Sequence, residues 1–489
     1  MLPLSATQVS ALMQRARAAL SKGLLNEARR ALEQVAQADP GSVEAAFHLS
    51  RIAFEQGDRA ACLSWLDKAL ALAPKNARIG MAAAERFRHF NRPDKALAAY
   101  DQVISLDRTA LKPRADKAHY LQLLGRFDEA EALFAKLIKQ HPRETELYRI
   151  FLATRKVTPG DPHLRAMKAL WNSASLPDPQ RMHLGFALAK SMEDIGQPDQ
   201  VFAYLDRANA LQRAAAPFDA AAQDIEFDGV RAAQAGLDPT ATGAPPPLRP
   251  VFVTGMPRSG TTLVERILGA HSAVTTGGEM GHAMRLAYHM FGVGAQMRPL
   301  DREPPAKLRQ FAESYVRLAQ RDLGPDAQVV TDKSILSHLI FGLIRHSLPG
   351  ARIIVVHRDP RDIALSIYKN HFTTGTHRYA NDLSEIAGSI KRFRRSVAHW
   401  RDRMPGLIHE IRYEDLVSDP EPQSRALVAA AGLDWEDACL TFHNSGGAVK
   451  TLSVSQVRQP IHRRSAQAWK TYETELTPFI AAWGDEPWD

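Results

Sequence analysis

A 34-residue period governs the first part of this chain. Gly23, Gly57, Asn91 and Gly125 stand 34 residues apart, and so do Ala28, Cys62, Ala96 and Ala130. Pro40, Pro74 and Pro142 fall on the same grid, with Arg108 at the skipped position. Gly and Asn suit the left-handed residue that closes a helix, and Ala or Cys suits a close helix–helix contact. Each unit therefore predicts a helix, a short turn, a second helix and a stop near proline. Units of this kind bury their apolar faces only by stacking on one another.

The period and its punctuation resemble the tetratricopeptide repeat (TPR), with about four 34-residue units over residues 1–145. Such arrays leave a concave groove, which implies docking of a protein or peptide partner. The alternative is a scaffold that supports the next domain or a homodimer. Cys62 reads as a small apolar knob in this array. Residues 146–243 stay helical but lose the register. Gly196-Gln197-Pro198 between two helical runs predicts one further helix pair. Residues 244–249, with Pro245, Pro246 and Pro247, read as a stiff linker.

Beyond the prolines the pattern changes to α/β. Apolar, β-branched runs at Val251 to Val253, Gln328 to Thr331, Ile353 to His357 and Ile408 to Tyr413 predict strands with helices between them, as in a mostly parallel sheet. The expected fold class is multidomain: an all-α solenoid, then an α/β, P-loop-like domain over residues 250–489. A length of 489 residues allows two or three domains. With 62 basic residues against 54 acidic, the charge favours anionic ligands but implies neither nucleic acid nor membrane partners. Two cysteines without a CxxC or metal spacing favour a reducing compartment. No apolar run reaches the ~18 residues of a membrane span, and the first residues lack a basic-then-apolar leader. These features predict a cytoplasmic protein.

The chemistry concentrates at Val251-Phe-Val-Thr-Gly-Met-Pro-Arg-Ser-Gly-Thr-Thr-Leu-Val264. A short strand meets a Gly/Pro/Ser turn and then a helix. Backbone N–H groups of such a turn point outward, and the helix dipole favours an anion. Gly255 and Gly260 let a phosphate approach the backbone, while Arg258, Ser259, Thr261 and Thr262 add donors. The spacing resembles a P-loop, but Thr261 stands where the Walker lysine belongs and the cation sits at Arg258. This argues against a P-loop kinase or NTPase, the enzymatic rival.

A second strand–turn–helix stretch, Ile353 to Ser366, repeats the logic. Asp359 suits an N-cap and Pro360 a first helical position. Arg358 offers a bidentate fork at a strand end and Ser366 a hydroxyl on the helix that follows. Taken alone, Arg358 would read as a surface pair with Asp359 or Asp362. Two phosphate grips imply a ligand with phosphate at both ends.

Together these stretches resemble the two phosphate motifs of sulfotransferases that use 3′-phosphoadenylyl sulfate (PAPS, leaving PAP). The wording is most similar to tyrosylprotein sulfotransferases and their bacterial TPR-linked relatives. The likeness runs from about Pro250 to Tyr472. It implies that Arg258, Ser259, Gly260, Thr261 and Thr262 hold the 5′-phosphosulfate, and Arg358 and Ser366 the 3′-phosphate. It further implies that Glu279, in Thr276-Gly-Gly-Glu-Met280, is the catalytic base, and that Lys333, in Thr331-Asp-Lys-Ser334, belongs to the transfer site. Tyr413 matches a cofactor-contacting tyrosine. Ser453 to His462, with Ser453, Gln456, Val457 and Arg458, resembles a loop that closes over the cofactor. Ala468, Asn370 and Gly281 depart from the family's cationic residues, so the acceptor stays open between a protein tyrosine, a sugar hydroxyl and a small-molecule metabolite.

The chemistry fits these residue types. Sulfuryl transfer resembles phosphoryl transfer, an in-line displacement governed by positioning and charge stabilisation. Glu279 suits a general base, and Arg258 and Lys333 suit the charge that builds on the leaving oxygen. No metal is expected. The remaining rival is a TPR adaptor with a degenerate transferase domain, against which Arg258–Thr262, Glu279 and Lys333 argue.

Overall fold

The structure, a computed structural model, describes residues 4–240, 244–373, 375, 377–444, 461 and 466–488. The chain forms two compact units: Met1–Lys117 with Arg317–Asp326, and Ala118–Val316 with Ala327–Asp489. The division falls inside the helix Leu111–Leu124 rather than at residue 145.

Helix pairs fill the first unit: Ala6–Ser21 with Leu25–Ala38, Val43–Glu55 with Arg59–Leu72, and Ala77–His89 with Pro93–Leu106. The residues on the 34-residue grid do what their types predict. Gly23, Gly57 and Asn91 take φ of 71°, 85° and 52°, and Gly125 repeats the turn at 80° before the helix Phe127–Gln140. Ala28, Cys62 and Ala96 are fully buried, and Ala130 nearly so. Cys62 is held inside its repeat, its carbonyl accepting from Ser50 Oγ at 3.0 Å. Arg317–Asp326 belongs to this unit through charge on aromatic faces. The guanidinium carbons of Arg86 and Arg321 lie 3.3 and 3.9 Å from the Phe54 ring centroid, and His89 Nε2 meets Asp322 Oδ1 at 2.8 Å.

In the second unit a five-stranded sheet is parallel throughout. Its strands are β1 (Arg249–Gly255), β2 (Val274–Thr276), β3 (Val329–Asp332), β4 (Arg352–His357) and β5 (Ile408–Arg412), in the order β2-β3-β1-β4-β5. β1 is central, and Pro250 to Gly255 are all buried, as expected of a strand covered on both faces. Val251 and Val253 pack with Val264, Ile267 and Leu268 of the helix Thr261–Gly269. On the opposite face Phe252 meets Tyr315 of the helix Pro305–Leu323, ring centroids 5.7 Å apart. β2 escapes sequence reading because it is three residues long and follows a His-Ser-Ala turn.

The helices before the prolines belong to this unit. The turn at Gly196 (φ 74°) leads through Pro198–Gln200 into the helix Val201–Ala215. From that helix the buried Asn209 amide donates to the Tyr368 carbonyl at 3.0 Å. From the helix Ala220–Ala233 and its C-cap, Gln234 donates to the Leu339 carbonyl at 2.7 Å and accepts from the Leu343 amide at 3.0 Å. Residues 244–249 therefore do not separate an independent helical body from the sheet. Buried side-chain amides bond backbone groups on the far side, and that arrangement has no local sequence signature. Among the described residues no helix is long and apolar enough to cross a membrane.

Candidate active site

Because every strand runs the same way, the carboxyl ends of all five lie along one edge, and each end delivers a residue singled out above. In sheet order these are Glu279 after β2, Lys333 after β3, Arg258 to Thr262 after β1, Arg358 after β4, and Tyr413 after β5. The chain leaves β1 towards β2 and leaves β4 towards β5. The crevice between β1 and β4 is thus the topological switch point at which open α/β sheets bind ligands.

The two motifs flanking that crevice are joined. Arg358 Nη1 donates to the Arg258 carbonyl at 2.9 Å, and Arg258 Nε donates to Ser366 Oγ at 2.9 Å. The Arg358 guanidinium carbon stands 4.5 Å from the Tyr413 ring centroid. Arg358 Nη2 is 3.7 Å from Asp362, so the alternative surface pair survives only as a long contact inside the site; Asp359 pairs with Arg361 instead. Asp359 caps its helix through the Arg361 amide at 2.9 Å, with Pro360 in the first turn.

The loop is a fitted cradle. Arg258 takes φ 71°, a left-handed conformation that costs a non-glycine residue energy and is found at functional sites. Burial, and then the neighbouring Arg358, push the Arg258 guanidinium down to about 10. A Cβ on Gly255 would fall 2.4 Å from Ser259 Oγ and 2.7 Å from the Val356 carbonyl, so glycine is required there. Gly260, at φ 106°, starts the helix Thr261–Gly269 and lies against Tyr413. Ser259 Oγ is fully buried without a hydrogen-bond partner among the described residues. Thr261 and Thr262 open the helix beside it, both buried. Backbone donors, an orphaned hydroxyl and two guanidinium groups suit an oxyanion.

One strand over, Lys333 Nζ donates to Glu279 Oε1 at 2.6 Å, with the lysine side chain 3% and the glutamate side chain 54% exposed. The lysine is built in, while the carboxylate faces outward where a substrate can reach it. Thr254 Oγ1 on β1 donates to the Ser334 carbonyl at 2.9 Å, tying the segment after Lys333 to the strand that feeds the loop.

Asp332, directly before Lys333, was not singled out by sequence. It is fully buried and accepts from Tyr315 OH at 3.1 Å. Burial pushes its carboxyl up to about 7, with nearby Glu265 adding to the rise, while Tyr315, the Gly281 amide and Lys333 oppose it. A folded-state value above the unfolded one gives stability that is complete in acid and is lost as pH rises from about 4 towards neutrality. Asp332→Asn keeps an acceptor for Tyr315 and cannot ionise. Its melting temperature should therefore gain on wild type across that window and level off above it; a constant offset in pH-resolved melting curves would remove Asp332 as the cause.

Ser453, Gln456, Val457, Arg458 and His462 lie outside the described residues. Asn370 turns back on its own helix, donating to the Ser366 carbonyl at 2.7 Å, and the neighbouring Lys369 pairs with Glu193. Gly281 takes φ 60° at the N-cap of the helix His282–Phe291, which explains glycine there. Trp469, after Ala468, is buried, and its amide donates to Asp362 at 3.0 Å. A pocket of about 310 Å³ at the β4 and β5 ends shares Arg358 with the crevice and is also lined by His357, Arg401, Glu410 and Trp488. Among the described residues no group of three or more His, Cys, Asp or Glu is placed to hold a metal ion.

Residues 250–437 match the sulfotransferase family, and residues 19–85 and 89–154 match the tetratricopeptide repeat. The chain is 30% identical over 375 residues to an uncharacterized protein of Aquifex aeolicus (strain VF5), covering 74% of this chain and 49% of the relative, so it spans about half that protein's length. It is 23% identical over 223 residues to protein-tyrosine sulfotransferase A of Caenorhabditis elegans, covering 43% of this chain and 56% of that one. It is 22% identical over 278 residues to protein-tyrosine sulfotransferase 2 of Gallus gallus, covering 49% and 70%. Residues 250–437 are a sulfotransferase-family domain, which this chain carries behind tetratricopeptide repeats.

Proposed function

We propose that the protein transfers a sulfuryl group from PAPS to an acceptor hydroxyl, with Glu279 as general base. The observation that carries the reading is the row of strand ends that sets the Lys333–Glu279 pair next to a two-motif anion crevice. When bound, PAPS supplies an activated sulfuryl group whose leaving group is a phosphate. The loop amides with Arg258, Ser259, Gly260, Thr261 and Thr262 hold the 5′ end. Arg358 and Ser366 hold the 3′-phosphate, and Tyr413 lies against the nucleotide. Ser366 accepts from Arg258 and keeps its own hydrogen to donate. Glu279 takes the acceptor's proton as the new S–O bond forms, and Lys333 with Arg258 stabilises the charge left on the departing phosphate oxygen. Ser453, Gln456, Val457 and Arg458 are assigned to the cofactor by resemblance alone.

The likeness to protein-tyrosine sulfotransferases makes a tyrosine hydroxyl the first acceptor to assay. The repeats would then recruit the acceptor protein or a partner peptide. Two buried, unpaired cysteines, Cys62 and Cys439, support a reducing, cytoplasmic setting. Calorimetric titration tests the core of the reading. PAP should bind without Mg²⁺ while ATP with Mg²⁺ binds far more weakly, because Thr261 replaces the lysine that reaches the β- and γ-phosphates. Tight, Mg²⁺-dependent ATP binding without PAP binding would make the protein an NTPase or kinase instead.

A further inference from the structure

The geometry points to Glu265 as a positioning residue that fixes the proposed base relative to the phosphate cradle. The inference rests on Glu279 being that base. Glu265 lies one turn into the helix Thr261–Gly269, whose first turn supplies Thr261 and Thr262 to the cradle. Its position is 6% exposed, unusual for a carboxylate and costly without hydrogen bonds. Two donors meet its Oε1: the Gly278 amide and Thr331 Oγ1, each at 2.9 Å.

Both donors belong to the frame of Glu279. Thr331 is the penultimate residue of β3, just before Asp332 and Lys333, and its carbonyl and hydroxyl oxygens accept from the Gly277 amide at 3.1 and 3.2 Å. The Lys333 amide donates to the Gly278 carbonyl at 2.9 Å. A Cβ on Gly277 would fall 2.3 Å from the Thr331 carbonyl, and Gly278 takes φ 63°. The backbone of residues 277 and 278 is thereby bonded to β3 from one side and to the cradle's own helix from the other. With those amides turned inward, the Glu279 side chain projects outward to Lys333. One helix therefore sets both the cradle, through its N-terminus, and the base, through Glu265. The phosphate motifs do not expose this, because both donors to the carboxylate lie outside them, on β3 and on the 277–278 turn.

The test compares Glu265→Ala, Glu265→Gln and Thr331→Val in the full chain. Readouts are sulfuryl transfer from labelled PAPS, PAP affinity by calorimetry, and amide exchange of residues 274–282 by mass spectrometry. Glu265→Ala should speed exchange at the loop and lower kcat by about 10–100-fold, as when the partner that orients a reacting group is lost. PAP affinity should not change. Glu265→Gln still offers an acceptor and should recover most of kcat. Thr331→Val should change exchange and kcat in the same direction by less, and it serves as the readout if Glu265→Ala does not fold. Wild-type exchange in both Glu265→Ala and Thr331→Val, wild-type kcat in Glu265→Ala, or equal losses in the Ala and Gln variants would each overturn the proposal. If the wild-type protein transfers no sulfuryl group, the reading of Glu279 fails, and the exchange comparison still decides whether Glu265 holds the loop.

Discussion

Glu279→Gln is expected to leave PAP affinity unchanged and to slow sulfuryl transfer by about 10²–10⁴-fold, the usual contribution of a positioned general base. Glutamine preserves the shape of the side chain and can still accept from Lys333 Nζ, which reaches Glu279 Oε1 at 2.6 Å. It cannot take a proton from the acceptor. The buried Lys333 ammonium keeps an acceptor but loses its charged partner, so melting temperature is measured beside transfer to separate a fold effect from a chemical one. Lys333 is the counterexample on the same contact. Its side chain is buried, so truncating it disturbs packing as well as charge, and Glu279→Gln is the cleaner probe. Single-turnover transfer from labelled PAPS reads the chemical step directly. A variant that transfers at the wild-type rate would remove Glu279 from the chemistry.

Arg358→Ala should weaken PAP binding by about 1.5–3 kcal/mol, the range for hydrogen bonds to a charged group, or roughly 10–150-fold in Kd. Two losses add. The fork that would grip the 3′-phosphate disappears, and the Arg258 carbonyl loses the donor that helps hold Arg258 in its left-handed conformation. Arg358→Lys should recover little, because a single ammonium cannot reproduce a planar fork stacked on Tyr413. Calorimetry with PAP measures both variants, and an unchanged Kd in Arg358→Ala would take Arg358 out of the site.

Much of this was legible because the relevant signals are local. A glycine that must turn left-handed, an alanine at a helix crossing and a β-branched run before a Gly-rich turn each declare themselves within a few residues. The repeat grid and four of the five strands follow from such signals, whereas the adjacency of β1 and β4 that joins the Arg258 loop to Arg358 does not. What escaped depends on distant partners. β2 is too short to show a period. Asp332 and Glu265 look like ordinary polar residues until the fold buries them against Tyr315, Thr331 and Gly278. Asn209 and Gln234 gave no hint that the helices ahead of the prolines are bonded to the α/β part of the chain.

The uniform strand direction has a consequence for how this domain tolerates change. Neighbouring strands lie ~4.8 Å apart, so five parallel ends form a ruler about 19 Å long, on which Glu279, Lys333, the cradle, Arg358 and Tyr413 occupy successive marks. New strands or loops added outside β2 or β5 lengthen the ruler without moving any mark. A strand inserted between β3 and β1 would part Lys333 from the cradle by a full mark. Diversification of such a domain is therefore channelled to its two edges, the β2 edge beside the half-exposed Glu279 and the β5 edge beside Tyr413.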